Sequence, residues 1–292
     1  MKLFAFPRVS GWCSLAALSV AIGFAVISSP AAGQNPGEIE RKTLRVCQDP
    51  NNLPFSNRKL EGFENKIAEL LGRDLGWRVE YTWYPQRFGF IRNTLRAAVP
   101  EEKRFKCDLV IGVPAGYELT STTKPYYRST YALVYVKGKG FDGVQHPRDL
   151  LKLEPAKLQN LKVGVFVQSP AVDWMLKNGL IDQAVSYQKQ TGDPDQYPGE
   201  ILEKDLVAGT IDMAFIWGPI AGYFAKKVKS VSLVVIPLKS EPEIKFDYSI
   251  AMGVRHGERD WKAQIENALE RNQPRIDAIL AEYGVPLVAE NQ

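Results

Sequence analysis

Two successive runs of short apolar strands alternating with amphipathic helices, over residues 43–136 and 161–238, constrain this chain more than any other feature. Strand–helix–strand alternation builds sheets with parallel strands and helices packed on their faces. A pattern that stops and restarts builds two of them. The first run opens with Thr43-Leu-Arg-Val-Cys47, an apolar strand that empties into the turn cluster Gln48-Asp49-Pro50-Asn51-Asn52-Leu53-Pro54. Phe63, Ile67, Leu70, Leu71 and Leu75 then recur at helical spacing between Gly62 and Gly76, and Trp77, Val79, Tyr81 and Trp83 alternate at strand spacing. A helix over 90–98 and strands over 108–113 and 130–136 complete the first α/β unit.

The second run starts at Leu161-Lys-Val-Gly-Val-Phe-Val167 and leads into Ser169-Pro170, with Gly179 just past the following helix. Ser as N-cap, Pro at the first helical position and Gly beyond the C-terminus mark both helix ends. Helices over 199–208 and 219–228 and strands over 211–217 and 232–238 follow. One more strand, 247–254, precedes helices over 259–272 and 274–283 that have no sheet of their own and pack back on the first lobe. The expected division is lobe 1 at 42–136 plus 247–292 and lobe 2 at 137–246. The chain then crosses between lobes twice, near 135–138 and 239–246, which is the plan of a hinged clam-shell.

Lys2 and Arg8 precede an otherwise uncharged stretch that runs to Glu38 and ends its apolar part before Ser28-Ser29-Pro30-Ala31-Ala32-Gly33. This reads as a secretory signal over 1–33, too short in its apolar part to span a bilayer, so the mature protein is expected to be periplasmic with no membrane association. Its removal leaves 35 basic and 33 acidic residues, and no basic stripe interleaved with aromatics suggests nucleic acid. A sequence pI of 8.8 mildly favours acidic partners. At 292 residues and 45% hydrophobic, the chain can bury a substantial core in one large or two medium domains.

The chemistry-bearing residues are few. Only His146 and His256 occur, without zinc spacing, and there is no nucleophile elbow, phosphate-binding loop or dinucleotide fingerprint. No catalytic residue, metal or cofactor is therefore expected. Asp49, Glu61 and Glu64 near the first strand end read as solvated or capping acids. Binding is the better reading, because ligands of open α/β sheets sit outside the carboxyl ends of strands. Those ends carry Gln48 and Asp49, with Phe55 in the adjoining turn; Arg87 after Tyr84-Pro85-Gln86; Gly112, Val113 and Pro114; Gln168 and Ser169; and Trp217. Ser169 heads a helix whose free N–H groups attract an anion or serve only as a cap. Trp217 lines a pocket or completes a core. Tyr126, Tyr127 and Tyr131, with Arg128, line a cleft or brace the hinge.

From Leu44 to Val288 the order of elements resembles the two-lobed type II periplasmic binding-protein fold of the family 3 solute-binding proteins. Gly62-Phe63, Lys124-Pro125-Tyr126-Tyr127 and Lys162-Val-Gly-Val165 carry that match. Amino-acid binders of that family hold the substrate carboxylate with an Arg and its amine with an Asp, and the aligned positions here fall near Gly116 and on Trp217. Leu44-Arg-Val-Cys-Gln-Asp-Pro-Asn-Asn-Leu-Pro-Phe-Ser-Asn57, Gly62-Phe-Glu-Asn-Lys-Ile-Ala-Glu69, Arg92-Asn-Thr-Leu95, Cys107-Asp-Leu-Val-Ile-Gly-Val-Pro-Ala-Gly116 and Thr123-Lys-Pro-Tyr-Tyr-Arg-Ser-Thr-Tyr131 look like a specialised branch. That branch is the J-type (MxaJ and XoxJ) proteins encoded beside PQQ-dependent methanol dehydrogenases, and residues 85–93 look more like its lanthanide-associated members.

The resemblance implies a non-catalytic periplasmic accessory protein that assists maturation or activation of a PQQ-dependent alcohol dehydrogenase, with that enzyme, its cytochrome c, or a small-molecule or peptide ligand as partner. Two alternatives stay open: a receptor for a small, weakly charged solute of an ABC importer, and an enzyme on the same scaffold, as in the periplasmic dehydratases. Composition pairs Cys47 with Cys107 once Cys13 leaves with the signal. The fold, however, sets the first and third strands side by side, with Cys47 at the exit of one and Cys107 at the entrance of the other. Such an offset is roughly 15 Å, against the limit of about 7 Å between the Cα atoms of a disulfide. Both readings of the pair stand at this point.

Overall fold

The computed structural model describes residues 42–188, 193 and 195–289. The expected signal segment and Cys13 lie outside the described residues. In chain order the elements are β1 (Thr43–Gln48), the small hairpin β2 (Asn51–Asn52) and β3 (Ser56–Asn57), α1 (Phe63–Leu75), β4 (Arg78–Trp83) and α2 (Phe90–Asn93). Next come a second hairpin of β5 (Ala98–Val99) and β6 (Arg104–Phe105), then β7 (Leu109–Pro114), β8 (Ser121–Thr122) and the long β9 (Tyr127–Val136). The chain continues with α3 (Pro155–Gln159), β10 (Val163–Phe166), α4 (Pro170–Lys177), β11 (Ala184–Tyr187), a π-helical turn at Ile201–Leu206, β12 (Met213–Trp217) and α5 (Gly218–Lys227). It ends with β13 (Leu233–Pro237), β14 (Asp247–Val254) and α6 (Arg259–Glu282).

Lobe 1 has the strand order β4-β1-β7-β14-β9 and lobe 2 the order β11-β10-β12-β9-β13. In each, the first three strands of the run are parallel and an antiparallel strand lies beside the third, the later β14 in lobe 1 and the earlier β9 in lobe 2. β9 belongs to both sheets. Its residues from Tyr127 to Thr130 pair with β14, and those from Tyr131 to Tyr135 pair with β12. By strand pairing the first passage between sheets thus falls between Thr130 and Tyr131, before the crossing expected near 135–138. The backbone runs through this point as one strand, although its side chains change there from Arg128-Ser129-Thr130 to the apolar run Tyr131–Val136. The second passage joins Pro237 to Asp247, held by Leu238 N–H donating to Tyr131 O and Thr130 Oγ1 donating to Leu238 O, each at 2.8 Å.

α1 forms where the apolar spacing predicts it, because Phe63, Ile67, Ala68, Leu70 and Leu71 fall on one face and bury against β1, β7 and α6. Gly76, with φ of 70°, takes the left-handed position that ends it. α2 is shorter than the expected 90–98. The Thr94 hydroxyl donates to Phe90 O at 2.7 Å, competing for a helical carbonyl, and the following residues pair as a hairpin. α6 is one helix where two were expected: Pro274 lies inside it, and Ala268, Leu269, Asn272, Ile276 and Leu280 bury both sides of the proline against lobe 1. Packing on both flanks outweighs the single backbone bond that proline removes. The segment expected as a helix over 199–208 is helical, with π-type pairing over Ile201–Leu206, and β11 and α3 gave no sequence signal.

Cys47 and Cys107 form a disulfide with Cα atoms 5.4 Å apart. The expected 15 Å offset is corrected by the path into β7. Cys47 stands opposite Val110 in the β1–β7 ladder, but residues 106–108 do not extend that line backwards. Lys106 O accepts from Thr82 Oγ1 of β4 at 2.8 Å, and Asp108 N–H donates to Arg45 O at 2.8 Å. The chain therefore enters β7 by crossing over β1, which carries Cys107 onto Cys47. Asp108 anchors the crossing through Arg45 and Arg255, and the Arg255 guanidinium also donates to the carbonyl oxygens of Leu95 and Cys107.

Candidate functional site, the cleft between the lobes

The carboxyl ends of the parallel strands of both sheets converge on one cleft of about 800 Å³. Of the residues expected there, Phe55, Arg87, Gly112, Val113, Pro114, Tyr127, Gln168 and Trp217 line it. Gln48, Asp49, Tyr126, Arg128 and Ser169 do not. Gln48 is buried behind the wall, where its carbonyl accepts from Asn65 Nδ2 at 2.5 Å. Asp49 braces loops, accepting from the backbone N–H groups of Asn51 and Gln86. Tyr126 and Arg128 face a small hollow near α6, and Arg128 is bound to Asp247. Ser169 precedes α4 without a side-chain cap, and its buried hydroxyl has no partner among the described residues.

The lobe 1 wall sets one buried carboxyl, Glu64, among Phe55, Phe90, Tyr117 and Tyr127, and that carboxyl is held from behind. Asn65, fully buried, accepts from the N–H groups of Asn57 (3.1 Å) and Gly62 (3.2 Å) while donating to Gln48. This fixes the start of α1 against the exit of β1 and turns Glu64 into the cleft. Glu64 sits under Gly112, whose φ is 80° and where any Cβ would collide with the Glu64 carboxyl group. Gln48 Nε2 donates to it across a long 3.5 Å. Burial, and then the nearby Asp49 charge, push its carboxyl well above the usual range. Burial also raises Asp49, against the two backbone donors that lower it.

Glu64 was expected to be a solvated or capping acid, and the structure corrects this. It lies three and four residues before Ile67 and Ala68, on the buried face of α1, and that spacing was the signal available. Tyr131 and Trp217 line the cleft where the two sheets meet, Tyr248 of β14 stands beside them on the lobe 1 side, and Phe166, Tyr187 and Tyr197 line the lobe 2 side; burial pushes the Tyr131 hydroxyl up to about 12. Tyr187 Oη donates to Asp205 on the π-helical turn at 2.7 Å. Among the described residues acids outnumber bases in the lining, with Glu64, Asp193, Glu200 and Asp205 against Arg87 and Lys204. Gly116, where amino-acid binders of the resembled family carry the carboxylate-holding Arg, is an exposed turn residue outside the lining.

A pair of 2-1-3-type sheets sharing one long strand, with a cleft at their carboxyl ends, defines a two-lobed type II periplasmic binding-protein fold. No protein-family model matches the chain. The solved structure of the periplasmic binding protein XoxJ from Methylobacterium extorquens AM1 is 35% identical, with a TM-score of 0.67 over 85% of this chain and all of that one. MxaJ from Methlophaga aminisulfidivorans MPT is 25% identical, with a TM-score of 0.70 over 84% of this chain and all of its own. MoxJ of Paracoccus denitrificans is 27% identical over 267 residues, 87% of this chain and 92% of that protein. The chain belongs to the J-type family of binding proteins that includes XoxJ, MxaJ and MoxJ.

Proposed function

We propose that this protein is a periplasmic, non-catalytic partner of a PQQ-dependent methanol or related alcohol dehydrogenase, aiding its maturation or activation. The cleft offers its two walls to a segment of that enzyme. The observation that carries the reading is the loss of the amino-acid-binding charge pair within a J-type chain: Gly116 lies outside the cleft and an indole, Trp217, lines it. Higher identity to XoxJ (35%) than to MxaJ (25%) supports the lanthanide-dependent, XoxF-type enzyme as the partner.

The test is a pull-down with the purified protein from the periplasm of its own cells, read by intact mass, beside native mass spectrometry of the protein alone. Recovery of the quinoprotein dehydrogenase, with or without its cytochrome c, is the expected result. An eluate without the dehydrogenase, together with one small molecule retained on the protein, would make it a solute receptor of an importer.

A further inference from the structure

The aromatic wall of the cleft contains an arrangement whose geometry selects for charge. Trp217 ends β12 directly opposite Tyr131 of β9, while Tyr248 of β14 faces Ser129, two positions back along β9. Pairing from both edges of one strand therefore brings three rings to the same place. Their centroids stand 5.3 Å (Tyr131 to Trp217), 6.0 Å (Trp217 to Tyr248) and 6.5 Å (Tyr131 to Tyr248) apart, with interplanar angles of 66°, 67° and 65°. Steeply inclined in all three pairs, the rings form a corner on the cleft that all three line. Aromatic faces are negative, so one cation can lie within about 6 Å of several centroids at once.

Three further observations point the same way. Tyr248 already attracts a cation, since Lys245 Nζ lies 5.2 Å from its ring centroid. Asp173 and Asp247 both act on the Tyr248 hydroxyl, and Asp173 is exposed in the first turn of α4. On a chain of formal charge +4, Asp193, Glu200 and Asp205 outnumber Arg87 and Lys204 among the described lining residues, even with Glu64 left aside.

We propose that the corner of Tyr131, Trp217 and Tyr248 receives an ammonium group, carried either by a small solute or by a lysine side chain of a bound protein segment. The lysine source rests on the partner reading above, whereas the site does not. Calorimetry with the purified protein and three probes tests it: choline, its neutral carbon isostere 3,3-dimethylbutan-1-ol, and Nα-acetyl-lysine amide. At least one cation is expected to bind roughly tenfold or more tightly than the neutral alcohol, and Trp217→Ala to remove that preference. Preference for choline identifies a solute, and preference for the lysine derivative identifies a protein segment.

Because Trp217→Ala could disturb folding, Lys245→Met supplies the second variant. It leaves the three rings in place and removes a competing positive charge, so it should tighten cation binding and leave the alcohol unchanged. Equal binding of choline and the alcohol, or no response of cation affinity to Lys245→Met, would overturn the proposal. Capture of the dehydrogenase by Trp217→Ala as strongly as by the unaltered protein would remove the corner's role and leave the partner reading intact. Selective cation binding without any capture of the dehydrogenase would do the reverse.

Discussion

The two walls of the cleft are built on different principles. On the lobe 1 side, Glu64 and Gly112 rest on a closed set of buried polar bonds through Asn65 and Gln48, with the Cys47–Cys107 disulfide behind β1. Where the sheets meet, Tyr131, Trp217 and Tyr248 lean on one another at 5.3 to 6.5 Å, and on the lobe 2 edge single hydroxyl–carboxylate bonds such as Tyr187 to Asp205 tie the wall to a π-helical turn. A wall of buried, mutually satisfied polar groups loses much when one member is removed, since its partners stay desolvated. A wall of half-exposed rings loses contact area and little else. The Asn65 network thus supplies the fixed part of the site, and the rings with the lobe 2 edge the part on which substitution can change ligand preference without unfolding the protein.

Breaking the disulfide tests the fixed side most severely. It closes a loop of sequence separation 60, so Cys47→Ser with Cys107→Ser should lower unfolding stability by roughly 4 kcal/mol, read from chemical denaturation. A loss below about 1 kcal/mol would show that the Asp108 anchors alone hold the crossing into β7. Asn65→Ala comes next. It leaves the N–H groups of Asn57 and Gly62 and the Gln48 carbonyl without their partner, at a cost of roughly 2–3 kcal/mol in the same assay.

Glu64→Gln sharpens the comparison through pH. The folded protein holds the Glu64 proton more tightly than the unfolded chain, whose ordinary value is 4.5. The stability linked to that proton is complete below the unfolded value and is lost as pH rises through the folded one. The Gln variant should therefore match the unaltered protein near pH 4 and exceed it in thermal stability at pH 8. Equal pH dependence in the two proteins would place the Glu64 carboxylate in contact with solvent. The smallest effect is expected across the cleft, where Tyr187→Phe removes one half-exposed bond and should cost less than about 1 kcal/mol.

Sequence reading reached the lobes and the strand ends because those features repeat locally. Phe63 to Leu75 and Thr43 to Gln48 carry their periods within one element, and eight of the expected site residues line the cleft as a result. It did not reach features set by the path of the chain between elements. The Cys107 crossing depends on Lys106 and Asp108 bonding to two different strands. Likewise, the change of sheet inside β9 is set by which strands pair with Tyr127 to Thr130 and with Tyr131 to Tyr135, and no period within the strand specifies those partners. Tyr248 joined the site through register with β9, and Glu64 through burial against Gly112, neither of which composition records.

The measurement closest to the central claim is native mass spectrometry of the purified quinoprotein dehydrogenase mixed with this protein and with its Trp217→Ala variant, at one fixed salt concentration. The account predicts a complex with the unaltered protein and its marked loss with the variant, while both proteins melt cooperatively. No complex with either would contradict the partner claim, and equal complex formation by the two would contradict the part given to the aromatic corner.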